Sequence, residues 1–426
     1  MSAMPRLRLP YLRCSVPDHL GAVTSRDPRE VRADDAGLAF DAAERIWQRT
    51  EALYRTGMSP GISLCVRYRG HRVLNRAIGH ARGNGPQDDA GTPKVLLTPD
   101  TPVCLFSASK AVTAMLVHWL AQEGKLNLLD PVAHYIPEFA NHGKENTTIQ
   151  HLLSHRGGVP RIDTDNVDPS LLFDHAAVMD LLCNARPVSP GGRRLAYHAI
   201  TAGYILAELV ERVEGRSVRD VLRDVIQKPL GMRYFNYGVD AADMGDVALN
   251  YFTGVPPVFP FDRYIKHVLG GDIETATEIS NDPRWMQAVI PAGNIYATAD
   301  EACRFFELLR CGGTLDGVRV FDPMTVHRAV VEAGGGPELD RTLMVPMRYS
   351  MGMMLGSKPV GLMGPSTEQA YGHLGFVNVL CWADPERELS VALLTTGKPL
   401  VGSHFVPWFR VIWEIAGQCP QTGIRK

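Results

Sequence analysis

Segments with the composition of β-strands lie near both ends of this chain, and segments with helical spacing fill the part between them. Residues 62–68 and 72–78 are strand candidates joined by 69–71, a glycine-containing link typical of a β-hairpin. Residues 376–383 and 389–396 form a second pair with a Pro-containing turn. We therefore predict an α+β fold: an antiparallel sheet formed from both chain termini with flanking helices, plus a mainly helical subdomain.

Composition shifts along the chain predict the regional organisation. Residues 1–38 are rich in Arg, Pro and Asp without periodicity, so we expect an irregular N-terminal arm. Residues 39–106 and 292–426 should form the α/β sheet region. Residues 107–291 should form the mainly helical region, in which the Pro- and aromatic-rich stretch 251–291 is expected to be a loop excursion over a site.

Composition and charge exclude several classes of protein. Of the 426 residues, 45% are hydrophobic and 21% are charged, and the net charge of −2 gives no basic footprint for nucleic acid. The chain has no 18-residue apolar run, and its first twenty residues lack a signal-peptide core, so we expect a cytoplasmic protein with no membrane span. The eight cysteines are scattered without a C-x-x-C pair, which indicates free thiols. We expect no metal and no cofactor, and the oligomeric state is open.

The segment Ser107-Ala108-Ser109-Lys110 indicates a catalytic nucleophile and its base. It stands at the start of a predicted helix over 109–123, so a hydroxyl and an amine lie one turn apart on the same face. A serine hydroxyl becomes a strong nucleophile when a neighbouring base takes its proton, and an amine in a dry pocket can be that base. The same spacing also arises by accident, with Lys110 on the surface and Ser107 as a helix cap, so the surrounding motifs must decide.

Those motifs occur in a fixed order over most of the chain. Together they resemble the serine β-lactamase and penicillin-binding-protein-like superfamily, and most closely its class C β-lactamase-like esterases, the family VIII carboxylesterases. The residues that carry the resemblance are Thr98-Pro99-Asp100-Thr101, Phe106-Ser107-Ala108-Ser109-Lys110, Glu123-Gly124-Lys125-Leu126, Asp130-Pro131-Val132, His151-Leu152-Leu153-Ser154-His155, Pro190-Gly191, Pro229-Leu230-Gly231-Met232 and Gly372-His373-Leu374-Gly375-Phe376.

The resemblance implies a role for each motif. Ser107 would be the nucleophile and Lys110 the general base. The family's Tyr-x-Asn motif falls at Tyr197-His198-Ala199, so Tyr197 would sit beside Ser107 and shuttle protons, with its phenol pKa lowered by Lys110. The alternative for Tyr197 is a core tyrosine at a helix start.

The third family motif, Lys-Thr-Gly, reads His373-Leu374-Gly375 here and should lie on a strand that lines the site. Gly375 would permit close backbone approach, and the N–H groups of Phe376 and Ser107 would form the oxyanion hole. The alternative for His373 is a structural strand histidine.

Three further patterns match motifs of other kinds. Residues 57–61 fit G-x-S-x-G, but a helix precedes them and a strand follows, so we interpret them as a turn. Residues 234–236 read Tyr-x-Asn but come too late in the family's order. His151 and His155 have helical spacing without a third ligand, so we expect packing or capping residues and no metal.

The departures from the family motifs favour esters. Ala199 replaces the asparagine that grips a β-lactam side-chain amide, and His373 replaces the lysine that supports binding of its carboxylate. The aromatic stretch 251–291 would suit an apolar substrate group, or it is simply a packed lid. We therefore predict a serine hydrolase, a carboxylesterase acting on small-molecule esters through a Ser107 acyl-enzyme. The alternatives are a β-lactamase, D-amino-acid peptidase or acyltransferase on the same site, or a non-catalytic binding relative.

Overall fold

The computed structural model describes residues 11–162, 168–269 and 271–422. Its main sheet is formed, in chain order, by β1 (Thr24–Arg26), β2 (Gly61–Tyr68), β3 (His71–Arg82), β4 (Val95–Leu96), β5 (Met354–Leu355), β6 (Tyr371–Gly375), β7 (Val379–Asp384) and β8 (Leu389–Thr395). The α-helices are α1 (Ala42–Tyr54), α2 (Ser109–Gln122), α3 (Ile149–Leu153), α4 (His175–Asn184), α5 (Thr201–Glu214), α6 (Val218–Leu222), α7 (Phe261–Leu269), α8 (Ile273–Ile279), α9 (Pro283–Gln287), α10 (Ala299–Arg310), α11 (Pro323–Val330) and α12 (Phe405–Gln418).

Shorter elements connect these. Short strands outside the main sheet are Val103–Cys104, Asn236–Tyr237, Ile295–Ala297, Thr314–Leu315, Val318–Arg319, Glu338–Leu339, Pro346–Met347, Val360–Gly361 and Gly364–Pro365. Short 3₁₀ turns are Leu20–Val23, Phe106–Ala108, Val132–His134, Pro137–Gly143, Pro169–Phe173, Ala241–Asp243 and Pro385–Arg387, and Arg223–Gln227 forms a π-helical turn after α6.

The main sheet joins the two ends of the chain. Its order is β1-β3-β2-β8-β7-β6-β5, with β4 pairing with β3, and neighbouring strands are antiparallel. At its centre β2 pairs with β8, and Leu64 lies opposite Leu393. The predicted α+β fold with an antiparallel sheet from both termini is therefore confirmed.

The β2–β3 hairpin follows from its turn chemistry. Arg69 and Gly70 have φ angles of +51° and +84°. Positive φ at both central positions is typical of a type I′ turn, whose twist matches that of paired antiparallel strands. The predicted hairpin is confirmed, and it sets the register in which Tyr68 faces His71.

Both faces of the sheet are covered by helices, as the central strand β8 shows. Successive side chains along a strand point to opposite faces. Leu389, Val391 and Leu393 pack in the apolar cluster that contains α1 and α12. Ala392 and Leu394 pack in the cluster that contains α2, α5 and α10. Because neither face of β8 meets solvent, every residue of this strand is buried and most are apolar.

The two faces carry different helices. On one face α12 buries Trp408, Val411, Ile412 and Ile415, whose spacing of three and four residues forms one helical stripe, and α12 packs beside α1. On the other face α10 packs on β7 and β8, and the helical region lies beyond it. The edge of β6 meets the turn that precedes α2, and this contact positions the candidate site.

The N-terminal arm is more ordered than the sequence predicts. Residues 1–10 lie outside the described residues, but β1 falls within the predicted irregular arm and pairs with β3, with Thr24 opposite Ile78. Leu20 and Val23 are buried against the sheet. A strand of three residues is too short to show periodicity, so only tertiary pairing reveals it.

The structure of residues 251–291 also differs from the predicted loop excursion, because this segment contains the three helices α7, α8 and α9. One of the Pro residues that suggested a loop, Pro283, lies at the start of α9. The Asp282 side chain accepts a hydrogen bond from the N–H of Arg284, and Pro283 occupies the first helical turn. Pro is tolerated there, since the first N–H groups of a helix have no partner within it.

Within the described residues, no helix combines the length and the apolar character that crossing a bilayer requires. The cytoplasmic location stays a prediction. The cysteines are free thiols, as expected, and all but Cys311 are buried.

Arg76 of β3 ties the arm to the sheet. Its guanidinium is buried and donates to the carboxylates of Glu30 (2.9 Å) and Glu44 (2.8 Å). The Glu30 side chain is itself only 1% exposed. Removing the arginine therefore leaves a buried carboxylate with less compensation for its lost hydration.

We expect Arg76→Ala to lower the free energy of unfolding by about 3 kcal/mol, measured as a shift in urea unfolding followed by circular dichroism. The matched control is Arg32→Ala, whose ion pair with Asp34 is exposed and should leave the unfolding midpoint unchanged. Equal midpoints for the two variants would show that the buried network does not hold the arm.

Candidate active site

Ser107 lies in the 3₁₀ turn Phe106–Ala108 that leads directly into α2, and its side chain is partly exposed. Phe106 has a φ of +47°, a left-handed conformation that bulky residues rarely adopt. Its ring is held by contacts with Phe376 (5.0 Å between centroids) and Trp285 (6.5 Å). Packing thus stabilises a strained backbone that presents the Ser107 hydroxyl at the start of the helix.

Lys110 follows one helical turn later, and its amine reaches the serine. Lys110 Nζ lies 2.9 Å from Ser107 Oγ and donates a second hydrogen bond to the carbonyl oxygen of Ala292, also at 2.9 Å. Burial disfavours the charged ammonium and lowers the pKa of Lys110 to about 7. Near neutral pH a large share of Lys110 is therefore an uncharged amine that can accept a proton.

Tyr197 lies beside this pair. The Lys110 Nζ is 5.2 Å from the centroid of the Tyr197 ring. Burial raises the pKa of Tyr197, a hydrogen bond with Ser107 lowers it, and the nearby Asp340 carboxylate raises it. The expectation that the pKa of Tyr197 is lowered is wrong, because burial disfavours the phenolate and raises this pKa.

The third motif lies on β6, next to the serine turn. A Cβ at Gly375 would stand 2.2 Å from the carbonyl oxygen of Leu105, so only glycine allows the strand to approach this closely. Phe376 follows directly, with its ring against Phe106. The structure therefore brings Gly375 and Phe376 to Ser107, where the sequence expects them.

His373 faces the same site from β6, with its ring centroid 6.2 Å from that of Tyr197. Its side chain is buried, and burial together with the charge of Lys110 lowers the pKa of His373 to about 3. Nδ1 shares a hydrogen bond with the carbonyl oxygen of Leu374 (2.8 Å), and Nε2 has no partner among the described residues. His373 is thus a neutral imidazole, unlike the lysine of the family motif.

Two other histidines complete the surroundings of Tyr197. The ring of His155 lies 4.7 Å from that of Tyr197 and 6.0 Å from that of His198. Burial lowers the pKa of His155 well below its usual value and lowers that of His198 to about 4. These imidazoles are neutral near pH 7, so they add no fixed positive charge around Lys110.

Sequence reasoning assigns His155 only to packing or capping, and it misses Asp340 and Lys398. Asp340 Oδ1 accepts the N–H of Tyr197 at 3.0 Å, and Lys398 Nζ lies 4.7 Å from the Phe106 ring centroid. None of these contacts is local in sequence. The positive φ of His155, +58°, is visible only in the structure.

The competing motifs have structural explanations. Ser59 of the G-x-S-x-G match is buried, donates to the carbonyl oxygen of Gly61 (2.7 Å) and follows α1, which confirms the turn. Tyr234 of the later Tyr-x-Asn match hydrogen-bonds Asp246 (3.1 Å). His151 forms a capping box with Thr148 at the start of α3, as expected.

A group that could hold a metal ion occurs on α4 and α5, where ligand atoms of His175, Glu208 and Glu211 lie within 4.8 Å of one another. The Glu208 carboxylate already bonds His175 Nε2 (2.8 Å) and Arg212 Nε (2.7 Å). These contacts explain the cluster as an ion-pair network.

Comparisons with known proteins agree with this geometry. The family model described as Beta-lactamase matches residues 49–412. The protein named Esterase/beta-lactamase LipL from Mycobacterium tuberculosis is 27% identical over 345 residues, covering 76% of this chain and 77% of LipL.

Two solved structures are similar over nearly their whole length. A penicillin-binding protein homolog from Caulobacter crescentus has a TM-score of 0.75 at 29% identity, covering 89% of this chain and 98% of that chain. A family VIII carboxylesterase also has a TM-score of 0.75, at 24% identity, covering 89% and 99%, and this likeness shows a shared fold. Since the family model spans most of the chain, the protein belongs to the beta-lactamase family.

Proposed function

We propose that this protein is a serine hydrolase that cleaves carboxylic esters through an acyl-enzyme on Ser107. The observation that carries the proposal is the 2.9 Å contact between the Ser107 hydroxyl and the buried amine of Lys110, whose pKa is about 7. A base with a pKa near the working pH is the most effective partner for a hydroxyl nucleophile.

In the proposed acylation step, Lys110 Nζ takes the proton of Ser107 Oγ while Oγ forms a bond to the ester carbonyl carbon. The N–H groups of Ser107 and Phe376 stabilise the negative oxygen of the tetrahedral intermediate. The bond to the alcohol oxygen then breaks, and Tyr197 gives that oxygen its phenolic proton and regains one from Lys110.

Deacylation runs through the same groups with water in place of the alcohol. Water loses a proton to Lys110 Nζ as its oxygen attacks the acyl carbon. The bond between the acyl carbon and Ser107 Oγ then breaks, Tyr197 gives Oγ its phenolic proton, and Tyr197 regains a proton from Lys110. The raised pKa of Tyr197 supports its part, because a phenol that stays protonated at neutral pH can serve as the proton donor.

The choice of esters over β-lactams and peptides rests on the third motif. His373 is buried and neutral, so it offers no positive charge to a substrate carboxylate. Phe376 is partly exposed and packs against the buried Phe106 next to the nucleophile, which suits an apolar acyl group. LipL carries both esterase and β-lactamase in its name, so β-lactam hydrolysis is the alternative that a substrate comparison has to separate.

Ser107→Ala should reduce kcat for p-nitrophenyl butyrate at least about a thousandfold, because the variant has no hydroxyl to acylate. It should also abolish labelling by a fluorophosphonate probe, while circular dichroism stays unchanged. Ser59→Ala, in the other serine motif, is the control and should still be labelled. Labelling that survives in Ser107→Ala would contradict the proposal, and an unlabelled wild-type protein would indicate a non-catalytic binding relative.

The pH dependence of kcat/KM should follow the titration of the Lys110 amine. Below a pKa of about 7 Lys110 is protonated and cannot act as a base, so kcat/KM should fall about tenfold per pH unit there and level off above it. The plateau should extend to alkaline pH, since the raised pKa of Tyr197 keeps its proton in place. Lys110→Arg should be inactive throughout, because a guanidinium stays charged. A flat acidic limb would exclude Lys110 as the base.

A substrate panel should separate the alternatives. We expect kcat/KM for p-nitrophenyl acetate, butyrate and octanoate to exceed that for nitrocefin by at least about a hundredfold, because the neutral His373 gives no ion pair to the cephem carboxylate. Parallel assays of Ser107→Ala measure the background hydrolysis of each substrate, which is subtracted. Nitrocefin turnover equal to ester turnover would favour a β-lactamase.

A further inference from the structure

Tyr197 lies on a segment outside any helix or strand, and hydrogen bonds hold that segment on two sides. On one side, the N–H of Ala196 donates to the carbonyl oxygen of His155 (3.0 Å). The N–H of His198 donates to Nδ1 of the same histidine (3.3 Å). These bonds fix the residues before and after Tyr197.

The other side is held by a turn that lies far away in the sequence. The N–H of Arg341 donates to the carbonyl oxygen of Leu195 (3.0 Å). The N–H of Tyr197 itself donates to Asp340 Oδ1 (3.0 Å). Asp340 is therefore the acceptor that fixes the backbone of the tyrosine.

The Asp340 carboxylate is fully buried, with 0% of the residue exposed. Besides Tyr197, Oδ1 accepts the N–H groups of Thr342 (2.8 Å) and Leu343 (3.0 Å), and Oδ2 accepts the hydroxyl of Tyr349 (3.0 Å). Burying a carboxylate is costly unless donors replace its water, and these four donors do so. The carboxylate is thus tightly placed between its own turn and the candidate site.

The same turn also contacts helix α7. The hydroxyl of Tyr264 on α7 donates to the carbonyl oxygen of Leu343 (2.5 Å). Since the N–H of Leu343 donates to Asp340, three hydrogen bonds in series connect α7 with the backbone of Tyr197.

Helices α7 and α8 form a cover over the oxyanion end of the site. Ile265 and Ile273 are buried in a small apolar cluster with Phe252, and Phe376 and Val377 pack against it. The cover therefore touches the residue expected to donate an oxyanion N–H, and it is bonded to the turn that holds the proton-transferring tyrosine.

We propose that Asp340 is a positioning residue for Tyr197, and that Tyr264 couples the α7–α8 cover to it through the 340–343 turn. This inference rests on the proposed function, because it concerns proton transfer by Tyr197. An apolar substrate group that packs against the cover then affects the position of Tyr197 through these hydrogen bonds.

A leaving-group comparison isolates the position of Tyr197. Nitrophenolate leaves without a proton, whereas an alkoxide needs one from the general acid, so ethyl butyrate depends on Tyr197 far more than p-nitrophenyl butyrate does. Both esters give the same acyl-enzyme. The ratio of their kcat/KM values therefore reports proton delivery during acylation, and a loss of folded protein leaves this ratio unchanged.

We expect Asp340→Ala to lower the ratio of ethyl to p-nitrophenyl ester kcat/KM at least about tenfold, as Tyr197→Phe does more strongly. Asp340→Asn keeps an oxygen acceptor for the N–H of Tyr197 and should restore most of the ratio. The control is Asp384→Ala, a buried carboxylate that caps the turn after β7 and should leave the ratio unchanged.

A double variant tests whether Asp340 acts through the tyrosine. If it does, Asp340→Ala combined with Tyr197→Phe should have the same ratio as Tyr197→Phe alone, because contacting residues are not additive. A further drop in the ratio, or an unchanged ratio in the folded Asp340→Ala variant, overturns the positioning role.

Tyr264→Phe tests the coupling and does not disturb the buried carboxylate. Loss of the hydroxyl should lower the same ratio about threefold, while Tyr135→Phe, which loses a hydroxyl bonded to Asp130, should not. An unchanged ratio in Tyr264→Phe overturns the coupling even if Asp340→Ala does not fold. If wild type cleaves neither ester, the proposed function fails instead, so the two failures are distinguishable.

Discussion

Burial of the Lys110 amine is the constraint on which the candidate site depends. A lysine in water is charged at neutral pH and cannot take a proton. If Lys110 were charged in this way, it could not deprotonate Ser107. Here the amine is enclosed, and its pKa falls to about 7. The surroundings preserve this effect, since His155 and His373 are buried and neutral, and the hydrogen-bond partner is the uncharged carbonyl of Ala292.

The same low-polarity surroundings act in opposite directions on the two proton-carrying groups. Burial lowers the pKa of Lys110 and raises the pKa of Tyr197, because it disfavours the charged form of each. Two titratable groups whose pKa values are pushed apart are suited to the roles of base and acid. The division of labour proposed for Lys110 and Tyr197 therefore follows from one physical cause.

What the sequence predicts well is local or periodic. The apolar strands, the Arg69–Gly70 turn and the Ser107–Lys110 spacing each involve neighbouring residues, and the structure agrees with them. The short strand β1 escapes sequence reasoning because only its pairing with β3 reveals it. The helices of 251–291 escape it because Pro, which suggests a loop, can also begin a helix, as Pro283 does. Asp340 escapes it because its bond to Tyr197 spans 143 residues.

The long-range contacts also explain why the motif residues alone do not define the site. Ser107 and Lys110 lie on one continuous helical segment, but Tyr197 has no regular element to hold it and depends on Asp340 and His155. A catalytic group must be held within a fraction of an ångström, and a loop achieves this only through supporting hydrogen bonds. The turn that supplies Asp340 is therefore as much a requirement of the proposed chemistry as the motif that supplies the tyrosine.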